Sequence, residues 1–221
     1  MHPGPERLRK DHAGLLPSRG TVALDGQPIA RMRRRALAGH IALLGQIGEQ
    51  YYPYTVYDTV MLGRYRFQKG ALSRPSREDH AAVERYLEQV GLDSLRDRKL
   101  DSLSGGQRQR VLLARTFAQE PRIILLDEPT NHLDLQAQFA LMESLRAWSE
   151  LPGHAVVGVL HDLTLALSLA NCVLLMKAGN TVAYGPSQQI LTSGALHATF
   201  DVDVAGRLHD AYAQWSELLD R

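Results

Sequence analysis

The chain has 221 residues, of which 44% are hydrophobic and 22% charged, and its formal net charge is +1. That balance excludes a general nucleic-acid-binding surface, which needs a clustered basic excess. No stretch reaches the ~18 apolar residues of a spanning helix, and no basic start followed by an apolar run marks a signal peptide, so any membrane role is expected to be peripheral. Thr21 to Leu24 reads as a short strand, with Asp25-Gly26 supplying turn chemistry. Arg31 to Arg35, interrupted by Met32, reads as a solvated face. Ile41 to Leu44 is a compact apolar strand ending at Gly45-Gln46, and a polar, tyrosine-rich passage follows to Tyr57. Asp58 to Arg64 and Glu78 to Val90 have helical spacing, with Ala82, Val83, Tyr86, Leu87 and Val90 on one face.

Gln107 to Ala118 reads as a second long helix. The strand after it, Arg122 to Leu126, is apolar on both faces, as suits a central parallel strand covered on both sides. Leu135 to Trp148, Ala155 to Leu160, Leu163 to Ala170 and Cys172 to Met176 alternate helix and strand, which argues for βαβ units in a doubly wound sheet. Lys177 to Thr181, with Gly179-Asn180, is a hairpin-like turn, and the tail from Pro186 is helical. The single cysteine, Cys172, lies in the apolar run NCVLLM and is expected to be a buried structural thiol.

Three places carry chemistry. The strand ending Leu126-Asp127-Glu128 delivers adjacent carboxylates to the carboxyl edge of a sheet, where ligands of such folds bind. Ser104-Gly105-Gly106-Gln107 opens a helix, whose exposed amides and dipole suit an anion. His161 follows a strand end, where an imidazole can bond a phosphate or a water.

Read together, LSGGQRQRVLLARTFAQEPRIILLDEPTNHLD from Leu103 to Asp134 resembles the ATP-binding subunit of an ABC transporter. The resemblance implies a P-loop NTPase-type α/β core with a parallel sheet, one ABC-type domain over 1–221 with a helical subdomain at about 46–103, and ATP and Mg²⁺ as ligands. By the resemblance, Asp127 helps hold Mg²⁺ and Glu128 is the general base. His161 is the switch histidine, and Gln46 contributes to Mg²⁺ coordination and positions water. Ser104, Gly105, Gly106 and Gln107 contact the γ-phosphate of ATP in the opposite subunit, and Asp134 communicates across the dimer.

The passage YYPYTVYDTVMLGRYRFQ resembles importers of iron chelates, haem or cobalamin. It implies a permease docking near Gln46 to Tyr57, a homo- or heterodimer of ATP-binding subunits, an indirect substrate-binding protein, and a place at the cytoplasmic face of the membrane. Gly45 stands where the family has proline.

One part of the pattern is missing. A phosphate loop reads G-x-x-x-x-G-K-[ST], its amides cradling phosphate and its lysine neutralising it. The chain opens MHPGPERLRKDHAGLLPSRGTV instead, with no glycine before Lys10 and no Ser or Thr after it. Codons permitted for Pro5 to Ala13, read one base out of register, spell Pro-Asn-Gly-Ser-Gly-Lys-Thr-Thr, a loop of the expected type. The expectation is an N-terminally incomplete or frame-shifted family member with weak or no ATPase activity. The alternative is a catalytically inactive remnant or docking partner that supplies only its LSGGQ face to an intact copy.

Overall fold

The computed structural model describes residues 20–45, 53–68, 73–131 and 133–219. By internal contacts the chain divides into two compact units, one comprising Met1–Leu126 with Thr130–Val157 and the other Asp127–Pro129 with Gly158–Arg221.

In the first unit, β1 (Ala23–Leu24) and β2 (Gln27–Pro28) form a minimal antiparallel hairpin. Its Asp25 and Gly26 both have positive φ (48° and 77°), as a two-residue turn between twisted strands requires. A short helix α1 (Arg34–Leu37) leads into β3 (Ile41–Leu44). β3 runs parallel to β4 (Ile123–Asp127), in register from Ile41 opposite Ile123 to Leu44 opposite Leu126. The sheet order is β3-β4-β5, with β5 spanning Ala155–Val159. Leu44 and Ile124 are wholly buried, so the parallel strands form the floor of the core, as expected of a βαβ sheet.

Three helices of this unit start with the same device. α2 (Val56–Met61), α3 (Arg77–Gln89) and α4 (Gly105–Ala118) are each opened by a capping box, through Thr55 with Asp58, Ser76 with Asp79 and Ser104 with Gln107. In each, the hydroxyl and the N3 side chain satisfy two amides that a helix start leaves without partners. α2, α3 and α4 pack on one another through Val56, Val60, Val83, Leu87, Val111 and Phe117, all buried. The face expected on α3 is the buried one, except that Tyr86 is only partly covered. α5 (Leu135–Ser149) brings Trp148 against Phe117, with ring centroids 6.1 Å apart.

The helix expected over Asp58 to Arg64 is shorter. It ends at Met61 and tightens into a 3-10 turn over Leu62–Phe67. Gly63 there lies so close to α4 that a Cβ would stand 2.3 Å from the Arg115 carbonyl oxygen. Next to it Arg64 is buried, donating from Nε to Asp79 Oδ1 (3.0 Å) and from Nη1 to the Ala118 carbonyl (3.0 Å), with Glu120 Oε1 2.9 Å from Nη1.

In the second unit, helix α6 (Leu163–Leu169) precedes the antiparallel hairpin β6 (Cys172–Lys177) and β7 (Asn180–Pro186). The turn falls on Ala178-Gly179, one residue earlier than expected, because both take positive φ (49° and 81°). α7 (Ser187–Ile190) and α8 (Ser193–Phe200) pack on the hairpin, and α9 (Val204–Leu219) packs on α8. Lys177 Nζ ties the hairpin to the end of α8 through Asp201 Oδ1 (2.5 Å) and the Ala198 carbonyl (2.9 Å).

Cys172 is exposed, contrary to the expected buried thiol. Strand geometry explains it: side chains alternate, so Cys172, Leu174 and Met176 share the outward face of β6 while Leu175 points into the core. Arg31 and Arg33 to Arg35 are exposed, as a solvated face would be.

Candidate functional site: a carboxylate–imidazole pair and a capped glycine turn

β4 ends at Asp127, and the chain turns at once. Glu128 has φ of 48°, and its N–H donates to the Val159 carbonyl (3.2 Å) at the end of β5. A left-handed backbone costs a residue with a Cβ about 1–2 kcal/mol, and such strain persists where surroundings over-determine it, often at functional sites. Here it aims the carboxylate at the loop after β5. His161 Nε2 lies 2.6 Å from Glu128 Oε1. The carboxylate is largely covered, at 15% exposure, and the imidazole is open at 70%. Asp162 fixes the next turn by accepting from the Thr164 (2.7 Å) and Leu165 (3.1 Å) amides at the start of α6. Chemically the directly bonded pair offers a carboxylate that can accept a proton from a water beside it and an imidazole able to exchange a proton or bond a phosphate.

The glycine turn is built differently. Ser104 Oγ accepts from the Gln107 amide (3.2 Å), and Gln107 Oε1 accepts from the Ser104 amide (2.9 Å). Both polar side chains therefore serve the helix start. The anion-binding capacity falls to the first backbone amides of α4, at Gly105 and Gly106, which have no carbonyl within the helix to bond. Gly106 is fixed by packing: a Cβ there would lie 2.9 Å from the Ala137 Cβ. Ala137 is the residue whose amide is capped by Asp134 Oδ1 (2.8 Å). The glycine turn and Asp134 are thus neighbours, held by two helix starts in contact. Gln138 braces the loop before α5 by donating to the Thr130 (3.3 Å) and Leu133 (3.1 Å) carbonyls.

The expected site residues accordingly form two groups, each within one compact unit. Asp127, Glu128 and His161 belong to the second; Ser104, Gly105, Gly106, Gln107 and Asp134 belong to the first. Gln46 and His132 lie outside the described residues, as do Tyr51 and Tyr52 of the tyrosine-rich passage. Tyr54 is exposed at 40%, whereas Tyr57 packs on its own unit, with its hydroxyl 2.6 Å from His80 Nδ1 and the Arg96 guanidinium over its ring.

Among the described residues no group of three or more His, Cys, Asp or Glu side chains forms a metal cage. Mg²⁺ does not require one, because it keeps several waters and takes one or two carboxylates together with substrate phosphates. Asp127, a carboxylate at the end of a parallel strand, fits that donor set.

Sequence reasoning singled out neither Arg64 nor Asp79, although a Gly-Arg pair directly after an apolar helix is a signal of close backbone approach. It also missed a cleft of about 500 Å³ between α1 and the 3-10 turn, lined by Arg34, Arg35, Leu62, Tyr65, Arg66 and Gln119 among others. Arg35 shapes it by donating to the Arg66 (3.0 Å) and Gln68 carbonyls.

Comparison with known proteins gives a consistent result. The ABC transporter family matches residues 12–131. The chain is 39% identical over 201 residues to the achromobactin transport ATP-binding protein CbrD of Dickeya dadantii, covering 90% of this chain and 74% of that protein. It is 36% identical over 211 residues to the hemin import ATP-binding protein HmuV of Rhodopseudomonas palustris, covering 92% and 75%. Among solved structures, CbiO1 of Clostridium perfringens, part of the ABC transporter complex CbiONQ, superposes with a TM-score of 0.72 at 25% identity, covering 94% of this chain and 82% of that one. With the LSGGQ turn, the Asp-Glu strand end and the P-loop-type sheet all in place, the chain belongs to the ABC transporter ATP-binding family.

Proposed function

We propose that this chain is built as the ATP-binding subunit of an importer of iron chelates, such as a siderophore or haem, or of cobalamin. The observation that supports this most is the 2.6 Å Glu128–His161 pair at the carboxyl ends of β4 and β5. In this reading Glu128 accepts the proton of the water that attacks the γ-phosphate. His161 orients that carboxylate and bonds the transferred group, work that is mostly positioning and electrostatics. Asp127 and Gln46 would hold Mg²⁺, which when bound neutralises the phosphate charge. The Gly105 and Gly106 amides, with Ser104 and Gln107 shaping the turn, would meet ATP held by the opposite subunit, and Asp134 would transmit that contact. The helical subdomain at about 46–103 would receive the permease near Gln46 to Tyr57. Achromobactin transport and hemin import, as the names of the two relatives state them, are the basis for the substrate class.

Among the described residues no helix is long and apolar enough to cross a membrane, which is consistent with a subunit docked peripherally at the cytoplasmic face. The sequence contains no G-x-x-x-x-G-K-[ST], so the chain by itself is expected to hydrolyse ATP feebly or not at all. Glu128 cannot act on nucleotide that is not held. ATP turnover by the purified chain, abolished by Glu128→Gln, would refute that expectation.

The second reading, a partner that lends only its LSGGQ face to an intact copy, has its own support. The glycine turn is fully formed, with both capping bonds and the Gly106–Ala137 packing, while the phosphate loop is absent from the sequence. Radiolabelled ATP binding separates the two: binding by the purified chain favours the first reading. Binding only in a mixture with an intact family member, lost on Ser104→Arg in this chain, favours the second.

A further inference from the structure

The cleft between α1 and the 3-10 turn gathers positive charge that the fold leaves unneutralised. Arg34, Arg35 and Arg66 line it, and among the described residues no aspartate or glutamate does. Arginine keeps its proton in proteins, so all of these side chains are cations. Glu120, the carboxylate that acts on Arg66 through space, is already bonded by Arg64 (2.9 Å) and Arg85 (3.3 Å). Burial holds the Arg66 pKa below the usual guanidinium value; Glu120 opposes this and Arg64 adds to it.

Two of these guanidiniums are held in place by backbone. Arg35 donates from Nε to the Arg66 carbonyl (3.0 Å) and from Nη2 to the Gln68 carbonyl. Arg66 donates from Nε to the Gln119 carbonyl (2.7 Å) and from Nη2 to the Glu120 carbonyl (3.3 Å). Gln119 in turn donates to the Ala38 (2.7 Å) and Ile41 (2.8 Å) carbonyls, clamping this wall to the start of β3. Gly39 leaves the room, because a Cβ there would stand 2.7 Å from Arg66 Nη1. Carbonyls orient both forks without cancelling their charge, and Nη1 of each is left to donate. Arg34 is exposed, and its guanidinium has no hydrogen-bond or ion-pair partner among the described residues. Donors fixed in advance cost a ligand less ordering than mobile ones.

The donor set narrows the ligand. A carboxylate offers two oxygens, which one guanidinium fork satisfies, whereas several forks around one volume match the oxygens of a phosphate. The cleft volume of about 500 Å³ is in the range of small-molecule sites. Leu62 and Tyr65, 48% and 62% exposed, give it an apolar shoulder for the rest of a ligand. Its walls include the residues just before β3 and β4, so it stands at the opposite end of β4 from Asp127. We propose that this cleft binds a phosphate group, carried by a small molecule or by a lipid headgroup, at a site separate from the one the ATPase reading assigns. The inference does not rest on that reading.

The test is calorimetric titration of the full chain with inorganic pyrophosphate, and sedimentation with vesicles of phosphatidylcholine alone or mixed with phosphatidylglycerol. Arg34→Ala is compared with Arg33→Ala, which removes the same charge from a neighbour outside the lining. Neither guanidinium has a bond to lose among the described residues, so both variants should melt like the parent. The expected result is saturable pyrophosphate binding, weakened about tenfold or more by Arg34→Ala and left near the parent value by Arg33→Ala; that assigns a free phosphate as the source. The same pattern with phosphatidylglycerol vesicles, and no binding of pyrophosphate, also bears the proposal out and assigns a headgroup. Binding of neither, binding indifferent to Arg34→Ala, or equal losses in the two variants (a general surface charge) would each overturn it. Amide exchange locates the bound pyrophosphate or vesicle without any variant: slowing at Leu62 to Gln68 is expected, and slowing confined to other segments would overturn the assignment.

Discussion

Gly106 and Ala137 stand so close that a Cβ on the glycine would lie 2.9 Å from the alanine Cβ. The second glycine of the LSGGQ turn is therefore a packing requirement between two helix starts, independent of any ligand. Gly106→Ala gains up to about 1 kcal/mol of helix propensity but incurs overpacking of about 1–3 kcal/mol, so a net loss is expected. Ala137→Gly should rescue it. A urea-unfolding double-mutant cycle measures the coupling, and additive effects would refute the contact.

The Arg64–Asp79 pair should dominate the stability of the helical layer. Both side chains are buried, and removing one partner of such a pair costs about 3–5 kcal/mol. Arg64→Ala and Asp79→Ala should each lower the urea midpoint strongly, and the double variant should lose less than the sum.

The same aspartate predicts a pH dependence. Burial raises its pKa, but the Ser76 amide and hydroxyl together with Arg64 outweigh this and hold it below the usual carboxylate value. A depressed folded pKa contributes stability that is fully present above the unfolded value, about 3.9. That stability is lost as pH falls from there through the folded value. Thermal melts from pH 6 down to pH 2 should show a steeper acid loss in the parent chain than in Asp79→Asn; parallel curves would contradict the assignment.

Gly63 offers a test of the tightened turn. An added Cβ would meet the Arg115 carbonyl at 2.3 Å and the Ala118 Cβ at 3.0 Å, so the 3-10 turn or α4 must move. Gly63→Ala is expected to destabilise by about 1–3 kcal/mol and to speed amide exchange in α2 and α4. Unchanged exchange there would show that the approach is looser than described.

At the strand end, Glu128→Gln keeps the side-chain length but removes the charge of a largely covered carboxylate bonded to His161, so a loss of stability of about 0.5–3 kcal/mol is expected. In an assembly that does turn over ATP, the same substitution should slow hydrolysis by about 10²–10⁴-fold, the range of a lost general base. His161→Ala should slow it less if the imidazole chiefly orients Glu128. Equal losses would instead give His161 a direct role on the transferred group.

Much of this was legible in the sequence because local patterns and tertiary needs agree. Serine or threonine followed three residues later by Asp or Gln marks the starts of α2, α3 and α4, and all three are capping boxes. The run Ile123–Leu126 reads as a central strand, and β4 is one. Cys172 was misread because an apolar run does not say which of two faces is covered, and that depends on neighbours remote in sequence. The Glu128–His161 bond spans 33 positions, so the residue types were foreseeable but their hydrogen bond was not. Arg64 was invisible for a related reason: an arginine is ordinarily read as surface until both its carboxylate partners are seen.

Arg64 also determines how this part of the molecule can come apart. One guanidinium fastens the turn after α2 to the first turn of α3 and to the end of α4. None of these three segments can fray alone without stranding a buried charge. The layer should therefore behave as a single cooperative unit, its slowest amides sharing one opening free energy and one denaturant dependence.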